Sequence, residues 1–177
     1  MATLRKFKCY RTLERAYTRK SKYKTKGYVK AFPNSRIVRY HMGDVHKIFT
    51  YQVNLFTKDT AQVRDNAIES ARQVSNRKLE TDLGKNGYYF RVLITPHHAL
   101  RENKMLVGAG ADRMQTGMAH SFGKVIGIAA QVRKGQTIFS VKVDKEGIES
   151  AKIALRKAVH RLPLRCGVEI SELKAQK

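Results

Sequence analysis

Alternating apolar and polar residues predict several strands from about residue 34 onward. Residues 49–55 alternate in this way, which is the pattern of a strand with one buried face. A second alternating run, residues 88–94, ends at Pro96. The same pattern predicts further strands over residues 125–132, 137–143 and 168–170.

Two longer segments have the spacing of amphipathic helices. Apolar residues recur every three to five positions between residues 63 and 83, and again between residues 148 and 162. An acidic or hydroxyl residue before a helix and a glycine or proline after it are typical boundaries. The boundaries predicted in this way are Asp59 or Thr60 and Gly84 for the first helix, and Asp144 or a neighbour and Pro163 for the second.

Strands combined with two long helices predict the α+β class, with helices and sheet as the two layers of an α/β sandwich. The sequence contains no internal repeat. We expect one domain over residues 31–177, preceded by an extension of residues 1–30 whose composition is different.

The predicted domain is interrupted by a long segment without periodicity, at about residues 97–117. Glycines recur in it and just beyond it, at Gly108, Gly110, Gly117 and Gly123. A loop of some twenty residues inside a compact domain is unusual and normally functional. Ten extended residues on each arm would carry its tip up to about 33 Å from its root, against a radius of gyration of about 16 Å for such a domain. The segment is therefore expected to project from the body.

The charge balance limits the class of partner. The chain has 36 Lys and Arg against 14 Asp and Glu, a formal net charge of +22 over 177 residues. Such a charge favours a standing polyanionic partner, since each neutralised phosphate releases a condensed counterion. No apolar run approaches the roughly 18 residues of a spanning helix, and the first residues contain no stretch typical of a signal peptide. Nucleic acid is therefore favoured over a membrane surface.

The first thirty residues carry much of this charge. They contain eleven Lys or Arg and one acid, with four of the eight tyrosines interleaved. Such a segment cannot bury enough apolar area to fold alone, but its cations can pair with phosphates while its rings stack on bases. The alternative is a solvated targeting or solubility tail. RNA contacts are expected from Lys8, Tyr10, Arg11, Tyr17, Arg19, Lys20, Lys22, Tyr23, Lys24 and Lys26, and from Lys124 and Arg133 in the body.

Catalytic and metal-binding interpretations find little support. The turn at residues 108–113 contains two glycines and a basic residue, yet it matches no phosphate-binding loop motif. His97 and His98 are adjacent, so they would point in opposite directions on extended chain. The two cysteines, Cys9 and Cys166, lie far apart and form no zinc motif; free thiols suit a reducing cytosol. We expect no enzyme activity, no cofactor and no metal.

The loop motifs also support a family resemblance. They read Arg101-Glu102-Asn103-Lys104-Met105, Gly108-Ala109-Gly110-Ala111-Asp112-Arg113, Gly117-Met118 and Phe122-Gly123-Lys124. Together with Cys9-Tyr10-Arg11 and the helix segment 66–72, they make the chain resemble the large-subunit ribosomal proteins called L-ten-e in archaea and eukaryotes and L-sixteen in bacteria. The resemblance covers nearly the whole chain, and Glu102 with the Cys-Tyr-Arg start favours the archaeal type.

The resemblance implies an α/β-hammerhead fold seated on large-subunit rRNA in the cytoplasm. It implies a position near the peptidyl transferase centre, with the loop 101–115 directed at tRNA acceptor ends. The implied partners are rRNA, tRNA, neighbouring ribosomal proteins and subunit assembly factors. The loop residues that the resemblance marks are Arg101, Glu102, Asn103, Lys104, Met105, Gly108, Gly110, Asp112 and Arg113.

Three positions depart from the family pattern, namely Ala119 and His120 after Gly-Met, and Val125 after Phe-Gly-Lys. They put local RNA contacts in question rather than the family. Two other interpretations stay open at this point. One is a free-standing RNA chaperone or tRNA-binding factor, and the other is a nucleotide-dependent RNA-modifying enzyme that uses the turn at residues 108–113.

Overall fold

The computed structural model describes residues 5–14, 17, 29, 32–103, 108–114 and 123–173. Several predicted functional residues lie outside these ranges, as do two of the departures from the family pattern. They are Arg19, Lys20, Lys22, Tyr23, Lys24, Lys26, Lys104 and Met105, together with Ala119 and His120.

Two antiparallel sheets and two long helices form most of the described chain, which confirms the α+β class. The strands are β1 (His41–Gly43), β2 (Tyr51–Thr57), β3 (Ala61–Arg64), β4 (Tyr88–Val92), β5 (His98–Glu102), β6 (Lys124–Val132), β7 (Thr137–Val143) and β8 (Cys166–Glu172). The helices are α1 (Asp65–Leu83), α2 (Ala111–Met114) and α3 (Ile148–Val159), with 3₁₀ turns at Phe7–Tyr10 and Lys145–Gly147.

The larger sheet has the strand order β1-β4-β7-β2-β8. Alternate residues of β2 and β4 are buried, as the sequence pattern predicted, and Val53 and Leu55 of β2 are fully buried. The central strand β7 instead buries four consecutive residues, 138–141. Phe90 and Phe139 meet edge to face on neighbouring strands with ring centroids 5.3 Å apart. Helices α1 and α3 pack on each other and on this sheet. Where they pack, the Ser75 hydroxyl donates to the Ala154 carbonyl oxygen at 3.3 Å.

A second sheet, with the order β3-β6-β5, was not predicted. Residues 61–64 were assigned to the start of the first helix, but they form β3, which pairs with residues 129–132 of β6. The assignment was wrong because Val63 continues the apolar spacing of α1 by coincidence, whereas three of the four β3 residues are buried by the sheet.

The predicted helix boundaries need correction. Helix α1 begins at Asp65 rather than after Asp59 or Thr60. The Asp59 carboxylate instead pairs with the Arg165 guanidinium at 2.8 and 3.1 Å, and this contact lowers the pKa of Asp59. Thr60 accepts the Lys134 backbone N–H at 3.1 Å. Gly84 is confirmed as the C-terminal stop, since its φ is 71° and its N–H donates to the Glu80 carbonyl at 3.1 Å.

Helix α3 also begins and ends differently from the prediction. Its N-cap is Gly147, and the Asp144 carboxylate accepts from Lys47 Nζ at 2.8 Å instead of capping the helix. The helix ends at Val159, before Pro163, because residues 158–162 close in tight turns.

The segment expected to be one uninterrupted loop begins with a strand. Residues 98–102 form β5 along β6, and residues 111–114 form the single turn of α2. The loop therefore leaves the small sheet after Glu102 and returns to it at Lys124, which is paired with Glu102. Gly123 permits this close return, since a Cβ there would lie 2.6 Å from the Glu102 carbonyl carbon. His98 and Ala99 are both buried, so residues 98–102 do not alternate and periodicity does not reveal this strand.

Candidate nucleic-acid interface

The basic N-terminal segment, residues 5–14 and Tyr17, lies against the small sheet. Two glutamines that face each other on β3 and β6 hold its backbone. The amide of Gln62 donates to the Thr12 carbonyl at 2.9 Å, and that of Gln131 donates to the Glu14 carbonyl at 3.0 Å. The sequence pattern did not predict this docking, because long-range side-chain contacts to backbone leave no local signal.

Tyr17 continues the docking along β5. Its backbone N–H donates to His98 Nδ1 at 2.8 Å, and its carbonyl accepts the Ala99 N–H at 3.2 Å. The Arg101 guanidinium lies over the Tyr17 ring, 4.3 Å from the centroid. The N-terminal segment is thus attached to all three strands of the small sheet.

His98 has a structural role in this docking. It is buried within β5 and accepts a backbone hydrogen bond. Burial lowers the pKa of His98, and the charges of Arg101 and His97 lower it further. The neutral imidazole that results has the free Nδ1 lone pair that the bond from Tyr17 requires.

A cavity of about 740 Å³ lies between the N-terminal segment and the small sheet. Five residues predicted from the sequence line it together, namely Lys8, Tyr10, Arg101, Glu102 and Asn103. Sequence reasoning missed three others, Arg5, Gln62 and His98, two of which come from strands that were not predicted. The structure therefore brings the N-terminal residues and the root of the loop into one site, here called the groove.

The groove combines the chemical groups that RNA recognition uses. Arg5, Lys8 and Arg101 supply positive charge, and Tyr10 supplies an aromatic ring. Glu102 forms an ion pair with Arg5 through one oxygen, while its other oxygen is buried without a hydrogen-bond partner among the described residues. Cations bind phosphates, and aromatic rings contact bases or ribose. Carboxylate or amide oxygens accept hydrogen bonds from base edges.

The remaining predicted residues that the structure describes lie outside the groove. The Arg11 guanidinium lies over the Phe7 ring at 5.5 Å, beside a second cleft. Lys124 and Arg133 are exposed near opposite ends of β6. In the loop, Gly108 and Gly110 have φ values of 145° and 81°. The carbonyl of Gly110 accepts the N–H of Arg113, which is exposed, at 3.1 Å.

Metal binding finds no support within the described ranges. There, no three His, Cys, Asp or Glu side chains come together as metal ligands would. His41 contacts the Tyr89 hydroxyl through Nδ1 at 2.7 Å, and the backbone N–H of His46 donates to Asp44 at 2.9 Å.

The two cysteines are expected to differ in reactivity. Cys9 is exposed at the groove, whereas burial, with a smaller contribution from Asp59, raises the pKa of the half-buried Cys166 thiol to about 11. At pH 8 only about one Cys166 in a thousand is then the reactive thiolate.

Iodoacetamide should modify Cys9 first in the native protein, as followed by peptide mass spectrometry. In urea the two rates should converge. Equal rates in the native protein would contradict the burial of Cys166.

The basic groove with its aromatic ring is typical of a nucleic-acid-binding protein. Residues 14–169 match the family described as Ribosomal protein L16p/L10e. The chain is 44% identical over 170 residues to the large ribosomal subunit protein uL16 of Methanococcus maripaludis, covering 96% of this chain and 95% of that protein. It is 42% identical over 152 residues to the uL16 of Staphylothermus marinus, covering 86% and 87%, and 38% identical over 157 residues to that of Methanoculleus marisnigri, covering 88% and 89%.

The chain belongs to the L16p/L10e family of ribosomal proteins. It is a structural constituent of the large ribosomal subunit, in the cytoplasm, and takes part in translation. Separately, the described helices include none that combines the length and apolarity needed to cross a membrane.

Proposed function

We propose that the chain binds and organises large-subunit rRNA through the groove and the N-terminal segment, close to the peptidyl transferase centre. One observation carries this proposal. A basic segment with tyrosines is fixed on a small sheet, so that Lys8, Tyr10 and Arg101 line a single cavity. The net charge of +22 matches a standing polyanionic partner.

The remaining parts of the proposal concern architecture and partners. Residues 1–30 act as a basic RNA-binding extension of a single domain, residues 31–177, of the α/β-hammerhead type. The docking of residues 5–14 supports a defined course for the start of this extension. Neighbouring ribosomal proteins and subunit assembly factors would contact surfaces that the rRNA leaves free.

The loop 101–115 is proposed to point towards tRNA acceptor ends. The pairing of Glu102 with Lys124 closes the loop at its base, so the residues between them are held by a narrow two-stranded stem. A stem of this kind can project a loop without involving the core. Arg101 and Arg113 then supply cations at the base and within the loop.

Salt-dependent binding to large-subunit rRNA tests the groove. Lys8→Gln and Arg101→Gln, combined in the full chain, should reduce the slope of log K against log salt by about 1.5, since each phosphate contact contributes roughly 0.7–0.9. The matched control is Lys85→Gln and Lys145→Gln, which removes the same charge at exposed positions beside the helices. If the two double variants change the slope equally, the groove is not the binding surface.

A free-standing RNA-binding factor was the alternative. Family membership favours the ribosomal constituent. Sedimentation of native extracts gives a direct comparison. The protein should remain with the large subunit at moderate salt, whereas a free factor would stay at the top of the gradient.

A further inference from the structure

A smaller pocket of about 290 Å³ lies next to the groove, between the N-terminal 3₁₀ turn, the start of α1 and the residues that follow α3. Its basic lining residues are Arg5, Arg64, His160 and Arg161, and the ring of Tyr10 also lines it. Three of these, Arg64, His160 and Arg161, come from segments to which no function was assigned above. The pocket is here called the arginine pocket.

The arginine pocket contains positive charge without a matching carboxylate. Arg5 pairs with Glu102, but neither Arg64 nor Arg161 has a carboxylate partner among the described residues. No described aspartate or glutamate lines the pocket. The nearest acid in sequence, Asp65, is engaged with backbone, because its two oxygens accept the N–H groups of residues 66 and 36 at 2.9 and 3.2 Å.

The Arg64 guanidinium lies over the Tyr10 ring, 6.0 Å from the centroid. Its Nε is buried and has no hydrogen-bond partner among the described residues. A buried donor of this kind is costly to leave unsatisfied, and a guanidinium pairs best with an oxyanion. Within the part of the chain that the structure describes, Arg64 therefore has neither a counter-charge nor an acceptor for its Nε.

The start of α1 adds a second source of positive potential. Arg64 is the N-cap of this 19-residue helix, and no side chain caps it there. The positive end of the helix dipole favours an anion at this position, although the N–H of residue 66 in the first turn is already bound by Asp65. The Asp65 carboxylate offsets part of this potential, so the arginines supply most of the attraction.

We infer that the arginine pocket binds a phosphate of the RNA backbone, held by Arg64 and Arg161. This inference rests on the proposed function, since it assumes an RNA ligand on this side of the protein. The aromatic ring of Tyr10 favours a nucleotide over free phosphate, because it offers a surface for ribose or base beside the anion site. The pocket and the groove share Arg5 and Tyr10, so one RNA strand can pass from one to the other.

Binding of large-subunit rRNA by variants of the full chain tests the inference. Arg161→Gln should weaken binding by roughly 10- to 150-fold, the range for losing one charge-assisted contact, and flatten the salt slope by about 1. Arg156→Gln is the matched control, because it removes the same charge from an exposed position on α3. It should leave the affinity nearly unchanged. Arg64→Lys should weaken binding while leaving the slope near that of the wild type, because the charge stays and the planar fork is lost.

A second measurement identifies the source of the anion. The side-chain Nε–H signals of Arg64 and Arg161 are followed by nitrogen NMR, with inorganic phosphate in one arm and a short RNA in the other. RNA should shift both signals at far lower concentration than inorganic phosphate does.

Shifts with inorganic phosphate but not with RNA would overturn the inference, as would wild-type affinity and slope in both Arg161→Gln and Arg64→Lys. If the groove double variant Lys8→Gln with Arg101→Gln loses slope while Arg161→Gln and Arg64→Lys bind as the wild type does, only the arginine pocket is refuted. If Arg161→Gln and Arg64→Lys weaken binding while the groove double variant keeps the wild-type slope, only the groove is refuted.

Discussion

Removal of the loop residues 104–122 is expected to leave a protein that folds and binds rRNA but does not support translation. Glu102 and Lys124 are paired across the stem, so the deletion joins Asn103 directly to Gly123. Asn-Gly between two paired strands is the preferred two-residue hairpin turn. Loop length also affects stability only weakly. The free energy of unfolding should therefore change by less than about 1 kcal/mol, as measured by urea denaturation.

Translation by reconstituted large subunits provides the second measurement on the deletion. The expected result is normal incorporation of the protein and loss of peptide synthesis, because most of the loop proposed to point towards tRNA, including Arg113, is gone. A same-length glycine-serine replacement of residues 104–122 is the control for length, and it should fail in the same way. Full peptide synthesis by subunits that carry either variant would show that the loop is merely exposed. A large loss of stability in urea would show that the loop is structural.

Replacement of Arg72 by Met is expected to destabilise the protein by about 3–5 kcal/mol, because it leaves a buried carboxylate without its partner. Glu69 and Arg72 of α1 are each 8% exposed and form two hydrogen bonds, at 2.6 and 2.8 Å. Glu69 also accepts the Val38 N–H at 3.3 Å, and Arg72 contacts the sulfur of Met42 at 3.0 Å. The pair thus ties α1 to the edge of the larger sheet.

Control variants separate the ion pair from side-chain volume. Glu69→Gln combined with Arg72→Met should lose less stability than Arg72→Met alone, since no charge is left buried. Arg77→Met, at an exposed position of the same helix, should stay within about 0.5 kcal/mol of the wild type. If Arg72→Met loses no more free energy of unfolding than Arg77→Met, the buried ion pair does not stabilise the protein as expected.

The stability of the wild type and that of Arg72→Met should depend on pH with opposite signs. The hydrogen bond from Arg72 lowers the pKa of Glu69 in the folded protein, against the effect of burial. The wild type therefore has this stabilisation in full above the ordinary glutamate pKa and loses it as pH falls through the lowered pKa. In Arg72→Met, burial without a partner raises the pKa of Glu69. That variant should recover stability as pH falls through the raised pKa towards the ordinary glutamate pKa.

The sequence predicted those elements whose apolar spacing is long and regular. Strand β2 alternates between half-buried and buried residues from Gln52 to Thr57, and α3 buries one face through Ala151, Leu155 and Ala158. Strand β3 has four residues and runs directly into α1, so its apolar residues were counted with the helix. Strand β5 was counted with the loop, so only β6 of the three strands in the small sheet was predicted.

Within the groove, the sequence predicted residue types better than their grouping. Tyrosines among cations and the loop motifs pointed to Lys8, Tyr10 and Arg101, which line one cavity. Gln62 and His98 carried no signal, since they act through backbone atoms far away in sequence. Contacts at separations of 50 and 81 residues depend on the tertiary fold, and no local pattern encodes them.

A cryo-EM map of the native large subunit tests the central claim most directly. If the groove is the RNA-binding surface, rRNA phosphates should lie within about 3 Å of the charged ends of Lys8 and Arg101, with a nucleotide beside Tyr10. The exposed faces of α1 and α3 should then point away from that RNA strand. A groove that faces solvent or a neighbouring protein, with rRNA on the helices instead, would contradict the account.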